Sequence, residues 1–431
     1  MSTSAAVPAR RWVYVIPVAA IMYLLAYLDR NNVSIILPYM DKDFPLSGSA
    51  KGMASGIFFV GYMFLQIPAA ILAVRWSARK TVLILMIAWG LAAMLCGLVQ
   101  SQGQLYVARF VLGFFEGGVW PAVLILLASW FPLKERARAN ALWMACLPIS
   151  SILMAPLSGW MLDHFGWRTV FVVQGLPPLI WAAVWWFAIA DKPSHARWVS
   201  AEERAYVEES LAADEAAKPS TGQASYADTL RDRRVQLLVL VYFCWITGFY
   251  GFNLWLPSVI KSMTGDASAT EVGLLTAIPY TVALVAMLYN AVRSDRTGNR
   301  RAAVAVPQVI AIAGLLCGQL VHNELLQMML LCVVAAGVYA PYGPFWAMPA
   351  QVLRFEVIAV AMGLINALGN LGGFMGPYLV GWLKDLTGSE NSGFIALSGF
   401  LAVGAAISWF FLRPAAEVRD HAVAVQNAQK A

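Results

Sequence analysis

The chain has 431 residues, 60% hydrophobic and 13% charged, with a formal net charge of +6. A water-soluble globular protein carries about 45–50% apolar and about 25% charged residues. A soluble fold is therefore excluded, because too few polar groups exist to cover its surface. The basic excess does not by itself indicate nucleic acid, since Lys and Arg also concentrate in the cytoplasmic connections of membrane proteins.

Twelve apolar runs follow in chain order, at roughly 12–38, 53–74, 81–99, 105–130, 139–162, 169–190, 235–260, 272–292, 302–321, 325–350, 357–383 and 393–412. Each is long enough to cross a ~30 Å hydrocarbon layer as a helix. Strands of a membrane barrel would be half as long and would alternate, which these runs do not. The first run is far longer than a signal-peptide core, so no cleaved leader is expected. The prediction is an all-α membrane protein of twelve transmembrane helices in two six-helix, pseudo-repeated bundles. Residues 1–190 form the first bundle, 191–234 a cytoplasmic linker, 235–414 the second bundle and 415–431 a cytoplasmic tail. The linker sequence KPSHARWVSAEERAYVEESLAADEAAKPSTGQAS predicts a short amphipathic helix, then a flexible stretch around Pro219 and Gly222.

The halves resemble one another. RWSARK (75–80) follows the second run and SDRTGNRR (294–301) follows the eighth. Trp120-Pro121 and Ala347-Met348-Pro349 occupy matching places, each before a segment with an asparagine, Asn140 or Asn366. Two six-helix halves joined by a linker suit alternating access around a midplane site. Orientation follows from the basic residues. Connections after odd-numbered runs hold five (Lys42, Lys51, Arg168, Lys261, Lys384), the other connections and both tails hold 23, and Arg30 and Arg109 lie inside runs. Both termini are thus expected in the cytoplasm, with the chain in the cell (inner) membrane.

Four ionisable residues interrupt the runs: Asp29 and Arg30 in the first, Arg109 and Glu116 in the fourth. Each costs about 2.5–3.5 kcal/mol or more at the bilayer centre, so each needs a partner or a water-filled cavity. A structural ion pair locking two helices is one reading. The other is function: a carboxylate in a cavity that opens and closes exchanges a proton, and arginines recognise an organic anion. Arg109 and Glu116, seven residues and about 10 Å apart on one helix face, are too distant to pair directly. Gly113, Gly117 and Gly118 in GFFEGGVWP are expected to thin the helix and leave room for water or a ligand. Tyrosines and amides in the runs, among them Tyr27, Tyr62 and Asn366, are candidates for the cavity lining, as is Trp346. In SDRTGNRR, Asp295 lies beside Arg296, Arg300 and Arg301, a charged latch for a cytoplasmic gate. RWSARK holds no acid, so the first half must latch differently.

The five cysteines (Cys96, Cys146, Cys244, Cys317, Cys332) lie in apolar runs without CxxC spacing and read as small hydrophobes. The four histidines (His164, His195, His322, His421) lie in connections or the tail. No metal site and no cofactor other than the coupling proton are expected. An enzyme finds no support: GxxxxGK[ST], HExxH and GxSxG are all missing.

SDRTGNRR resembles the loop signature of the major facilitator superfamily. LDRNN (28–32), RFVLGFFEGGVWP (109–121), WFPLKERARANAL (130–142) and INALGNLGGFMGPYLVGWLKDLTGS (365–389) are similar to its anion:cation symporter family. That family carries tartrate, phthalate, sugar acids such as galactonate, or 4-hydroxyphenylacetate. The resemblance implies that Asp29 and Glu116 couple protons, that Arg30 and Arg109 match the family's arginines, and that Tyr27, Tyr62 and Asn366 contact substrate. Two positions depart from the galactonate type: Leu147, before Pro148, replaces a glutamine, and Gly343 replaces a serine. A less polar pocket suits an aromatic or short-chain acid. Arg354-Phe355-Glu356 replaces the small residues common there and has no functional account. The expected function is proton-coupled import of an organic carboxylate by a monomer surrounded by membrane lipid, without nucleic acid. The alternative is proton-antiport export of a metabolite or drug. The glycine-rich GP motif of such antiporters is matched only in part by SILMAPLSGW (151–160), which has Ala155 before Pro156.

Overall fold

A computed structural model describes residues 9–144, 146–216, 225–353 and 355–412, all of them helix, turn or connection. Arg354, the side chains of Phe355 and Glu356, Pro219, Gly222 and the tail 415–431 lie outside the described residues. The chain divides into two compact units, Met1–Pro45 with Ile57–Ser220 and Ser268–Gly273, and Leu46–Gly56 with Thr221–Ala267 and Leu274–Ala431.

In chain order the helices start with α1 (Arg10–Met40), α2 (Gly48–Leu72, continued by a π turn to Ser77), α3 (Ala78–Cys96), α4 (Gln102–Gly117), α5 (Val119–Trp130), α6 (Leu133–Met144) and α7 (Cys146–Ala188). The linker carries α8 (Ala201–Ala216). Then come α9 (Tyr226–Arg231), α10 (Arg233–Thr264), α11 (Ala269–Thr297), α12 (Arg300–Gly318), α13 (Glu324–Tyr339) and α14 (Tyr342–Ala347). The chain closes with α15 (Pro349–Val352), α16 (Phe355–Gly369), α17 (Gly372–Thr387) and α18 (Asn391–Phe410). In lipid the backbone must satisfy its own polar groups, and a helix does so within one segment. Nine helical stretches among the described residues are long and apolar enough to span a membrane. Two of them each hold two predicted runs. Gly48–Cys96 is divided at Ser77, whose backbone is extended and whose hydroxyl caps α3 at the Lys80 N–H. Leu133–Ala188 is divided at Gly166, where φ of +75° admits glycine without strain. The eleventh run is split into α16 and α17 at Asn370-Leu371.

The helix ends of α2 and α11 explain the unit boundaries. Within the second unit, Gly48 and Ser49 donate their N–H groups to the two carboxylate oxygens of Asp385, both at 2.7 Å. Within the first unit, Ala269 and Thr270 donate to Asp163 at 3.0 and 2.8 Å. Each carboxylate thus satisfies the orphan donors of another helix's first turn.

The linker helix is anchored in the first unit. Trp198 stacks between Tyr14 and Trp130, with ring centroids 4.7 and 5.1 Å away. Glu203, fully buried, accepts from the N–H groups of Arg10 and Arg11 at 3.2 and 3.1 Å and from Arg11 Nη1 at 2.8 Å. Glu135 of α6 accepts from Arg11 Nη2 and from the Tyr206 hydroxyl, both at 2.8 Å.

Candidate functional site

Close backbone packing builds the site in the first unit. A Cβ on Gly113 would stand 2.0 Å from the Phe58 carbonyl oxygen, and one on Gly117 would stand 2.1 Å from that of Tyr62. A Cβ on Gly61 would meet the Phe110 oxygen at 2.2 Å. Only glycine permits this approach of α2 to α4. The expectation that Gly113, Gly117 and Gly118 leave room for water or ligand is therefore corrected. The α2 backbone fills the space at Gly113 and Gly117, and Ala69 and Leu85 fill it at Gly118.

The approach sets two aromatic rings of α2 against the charges of α1 and α4. Arg30 Nε donates to Glu116 Oε1 at 3.0 Å, and Arg30 Nη2 donates to the same oxygen. The guanidinium carbon lies 4.8 Å from the ring centroid of Tyr62, 5.1 Å from Tyr27 and 5.3 Å from Phe58. Arg109 Nη1 donates to the Asp29 main-chain carbonyl at 3.2 Å, and its guanidinium lies 5.1 Å from the Phe58 ring. Asp29, Arg30, Arg109, Glu116, Tyr27 and Tyr62 are all buried. The Trp89 indole of α3 lies beside Asp29 but completes no hydrogen bond with it. Both Asp29 carboxylate oxygens and Glu116 Oε2 lack a hydrogen-bond partner among the described residues.

Chemically this is one ion pair of opposite sign, held in an aromatic surround, beside a second carboxyl. Arg30 is shared between Glu116 and three rings, and cation–π contact of this kind strengthens when desolvated. Any anion entering the site would meet Arg30 already occupied by Glu116. The separation of Arg109 from Glu116 holds as predicted, because each reaches a different group of α1.

Trp346 and Asn366 belong to the second unit. The Trp346 ring packs against Tyr242, centroids 5.1 Å apart. Asn366 accepts from Asn370 Nδ2 through its main-chain oxygen at 2.8 Å and its side-chain oxygen at 2.9 Å. In SDRTGNRR, Arg300 Nη1 donates to Asp295 Oδ1 at 2.6 Å and to the Ser294 hydroxyl at 2.8 Å. Arg301 Nη1 donates to the Trp409 carbonyl at 3.4 Å, tying α12 to the end of α18. Arg296 lies in the last turn of α11. The acid that RWSARK lacks comes from Asp191, which accepts from the Ser77 hydroxyl at 2.6 Å and the Arg79 N–H at 2.8 Å.

Sequence reasoning missed Phe58 and Trp89, whose aromatic type is too common in apolar runs to single them out. It also missed a chain of side-chain bonds from α1 into α7. Asn32 Nδ2 donates to Gln174 Oε1 at 3.0 Å, and Gln174 Nε2 donates to the Ser158 hydroxyl at 2.9 Å. Gln174, an amide inside an apolar run, was a usable signal.

The family model of the Major Facilitator Superfamily matches residues 19–377 and 258–429. The chain is 34% identical over 419 residues to a protein of Agrobacterium vitis named as a tartrate transporter, covering 96% of this chain and 93% of the relative. It is 30% identical over 418 residues to a quinolone resistance transporter of Acinetobacter baumannii, covering 96% of each. Among solved structures, a bacterial homolog of the human lysosomal transporter Spinster superposes with a TM-score of 0.76 at 17% identity. That match covers 94% of this chain and 98% of the other, and it bears on the fold alone.

Proposed function

The chain belongs to the Major Facilitator Superfamily of membrane transporters, and on that premise we propose that it imports an organic carboxylate together with protons by alternating access. The observation that carries this reading is the buried Arg30–Glu116 pair. A carboxylate substrate and Glu116 compete for the same guanidinium. Protonation of Glu116 removes the charge that holds Arg30, which frees its planar donors for a bidentate substrate carboxylate. Asp29, with no hydrogen-bond partner for either oxygen among the described residues, is the second acid available to exchange a proton. Arg109 fixes the height of α1 through the Asp29 carbonyl and adds positive field. Taking up a proton with the anion offsets its charge against an inside-negative potential.

The aromatic rings around Arg30 favour an aromatic or short-chain acid over a polyhydroxylated one, and the tartrate-named relative supports a carboxylate. Both termini lie in the cytoplasm under this reading, by the distribution of basic residues. Export of a drug or metabolite is the second reading, favoured by the quinolone resistance relative.

The test uses purified protein in liposomes. Glu116→Gln should abolish pH-driven uptake while leaving substrate exchange partly intact. If that variant still concentrates substrate under a pH gradient, Glu116 does not couple the proton. A panel of aromatic acids, tartrate-like dicarboxylates, sugar acids and quinolones then assigns the class. Thermal stabilisation scales with affinity and concentration for a ligand that binds only the folded state. Stabilisation by quinolones alone would replace import of an anion with export.

A further inference from the structure

The second unit contains a cavity of about 560 Å³, lined by its own residues alone. It opens among the end of α10, the α12–α13 connection and the α17–α18 connection. This is the end of the unit opposite the basic α11–α12 connection, because α12 runs away from Arg300 toward the cavity and α18 runs from it toward Arg301. The depth of the cavity is apolar: Phe252, Leu256, Leu315, Leu331, Val334 and Phe394 line it. The mouth carries charges of both signs, Lys384 with Glu324 and Glu390, and the His322 imidazole beside them. Lys384 Nζ is held there by Glu390 Oε1 at 2.5 Å and by the Trp255 ring, 5.0 Å from its centroid.

The dimensions suit one kind of occupant. From Glu324 at the mouth to Val334 at the floor is ten residues of α13, about 15 Å of helix. That is half of a ~30 Å hydrocarbon core, the depth of a single leaflet. The connections at the mouth place the charged rim at headgroup level. A cavity of that depth, with Gln327 a turn below the charged rim and apolar side chains beneath it, matches an acyl chain hanging from a polar headgroup.

The rim also discriminates between headgroups. Lys384 engages Glu390 with one contact, and an ammonium has three donors, so donors remain for a phosphate. Two carboxylates at the same mouth oppose a purely anionic headgroup and pair with an ammonium. A primary ammonium donates hydrogen bonds to them, whereas a quaternary one has no N–H to give. We infer that this cavity binds one membrane phospholipid with a zwitterionic ethanolamine headgroup. Its phosphate lies toward Lys384 and His322, its ammonium toward Glu324 and Glu390, and one acyl chain fills the cavity.

Gly318 supplies the test. It closes α12 at the cavity, and a Cβ built there meets nothing within 4 Å. Gly318→Phe therefore adds a ring at the cavity wall without displacing backbone. Full-length protein would be purified in mild detergent, washed to remove loosely held lipid, and examined by native mass spectrometry. Its melting temperature would be followed with short-chain phosphatidylethanolamine, phosphatidylcholine and phosphatidylglycerol. The wild type should keep one ethanolamine lipid and melt several degrees higher with that lipid than with the other two. Gly318→Phe should lose the retained lipid and at least half of that shift, with its lipid-free melting temperature unchanged. Glu324→Gln with Glu390→Gln should reduce the preference for ethanolamine over glycerol headgroups several-fold, a readout that stands if Gly318→Phe folds poorly. Equal retention of all three headgroups by the wild type overturns the inference, as does an ethanolamine lipid retained equally by Gly318→Phe or by the double variant.

Discussion

Gly117→Ala tests how the site is assembled. The added methyl would lie 2.1 Å from the Tyr62 carbonyl oxygen, whereas ordinary van der Waals contact begins near 3.4 Å. The obstacle is main chain on both sides, so no side chain can swing away, and α2 must retreat from α4 by roughly 1.3 Å, the difference between those two distances. Overpacking of this kind costs about 1–3 kcal/mol. The better helix propensity of alanine returns at most about 1 kcal/mol of it. For a unit of this size each kcal/mol shifts the melting temperature by roughly 2–4 °C. Tyr62 and Phe58 travel with α2, so their rings leave the Arg30 guanidinium, now 4.8 and 5.3 Å away. Arg30 and Glu116 sit on α1 and α4 and keep their bond. The expected result is a melting temperature lower by a few degrees and substrate binding weakened several-fold, with proton coupling preserved. Thermal unfolding in detergent, with equilibrium binding and pH-driven uptake in liposomes, measures all three. An unchanged melting temperature with unchanged affinity would refute the claim that this glycine contact sets the aromatic surround.

Two further perturbations probe the connections. Glu203→Ala leaves Arg11 buried with one of its two carboxylates gone, and removing one partner of a buried pair costs about 3–5 kcal/mol. The variant should melt earlier, and trypsin should cut the linker near Arg197 and Arg204 faster; wild-type cleavage rates would show that α8 is not held through Glu203. Asp43 accepts from Trp167 Nε1 at 2.5 Å and pairs with Arg168, and these contacts hold its carboxyl below the usual carboxylate range. A carboxyl lowered in the folded state stabilises above its unfolded value, about 3.9, and loses that contribution as pH falls through the folded value. The melting temperatures of wild type and Asp43→Asn should therefore differ at pH 7 and converge on acidification below pH 4. A gap that widens on acidification would reverse the sign.

The reach of the sequence differs between elements. Each apolar run became helix because a backbone in hydrocarbon has few other ways to satisfy its polar groups. Asp29, Arg30, Arg109 and Glu116 were identifiable because a charge inside such a run demands an explanation. Their pairing was not identifiable. Helical spacing showed that Arg109 and Glu116 do not bond, but it could not choose Arg30 as the partner of Glu116 from 86 residues away. The glycines of GFFEGGVWP were legible as small residues, yet whether they face water or another helix depends on what arrives opposite them.

The linker makes the same division. Its charge and alanine pattern was enough for α8, while the burial of Glu203 and the stacking of Trp198 depend on Tyr14 and Trp130 being brought alongside. RWSARK announced a missing acid, and only the fold supplied Asp191. Composition and period act along the chain and are settled by solvent and backbone, so the sequence alone determined the membrane class, the helices and the residues under electrostatic stress. Pairing acts across the chain over a few ångströms. It was decided by tertiary packing, where glycine contacts and reciprocal caps set which side chains meet.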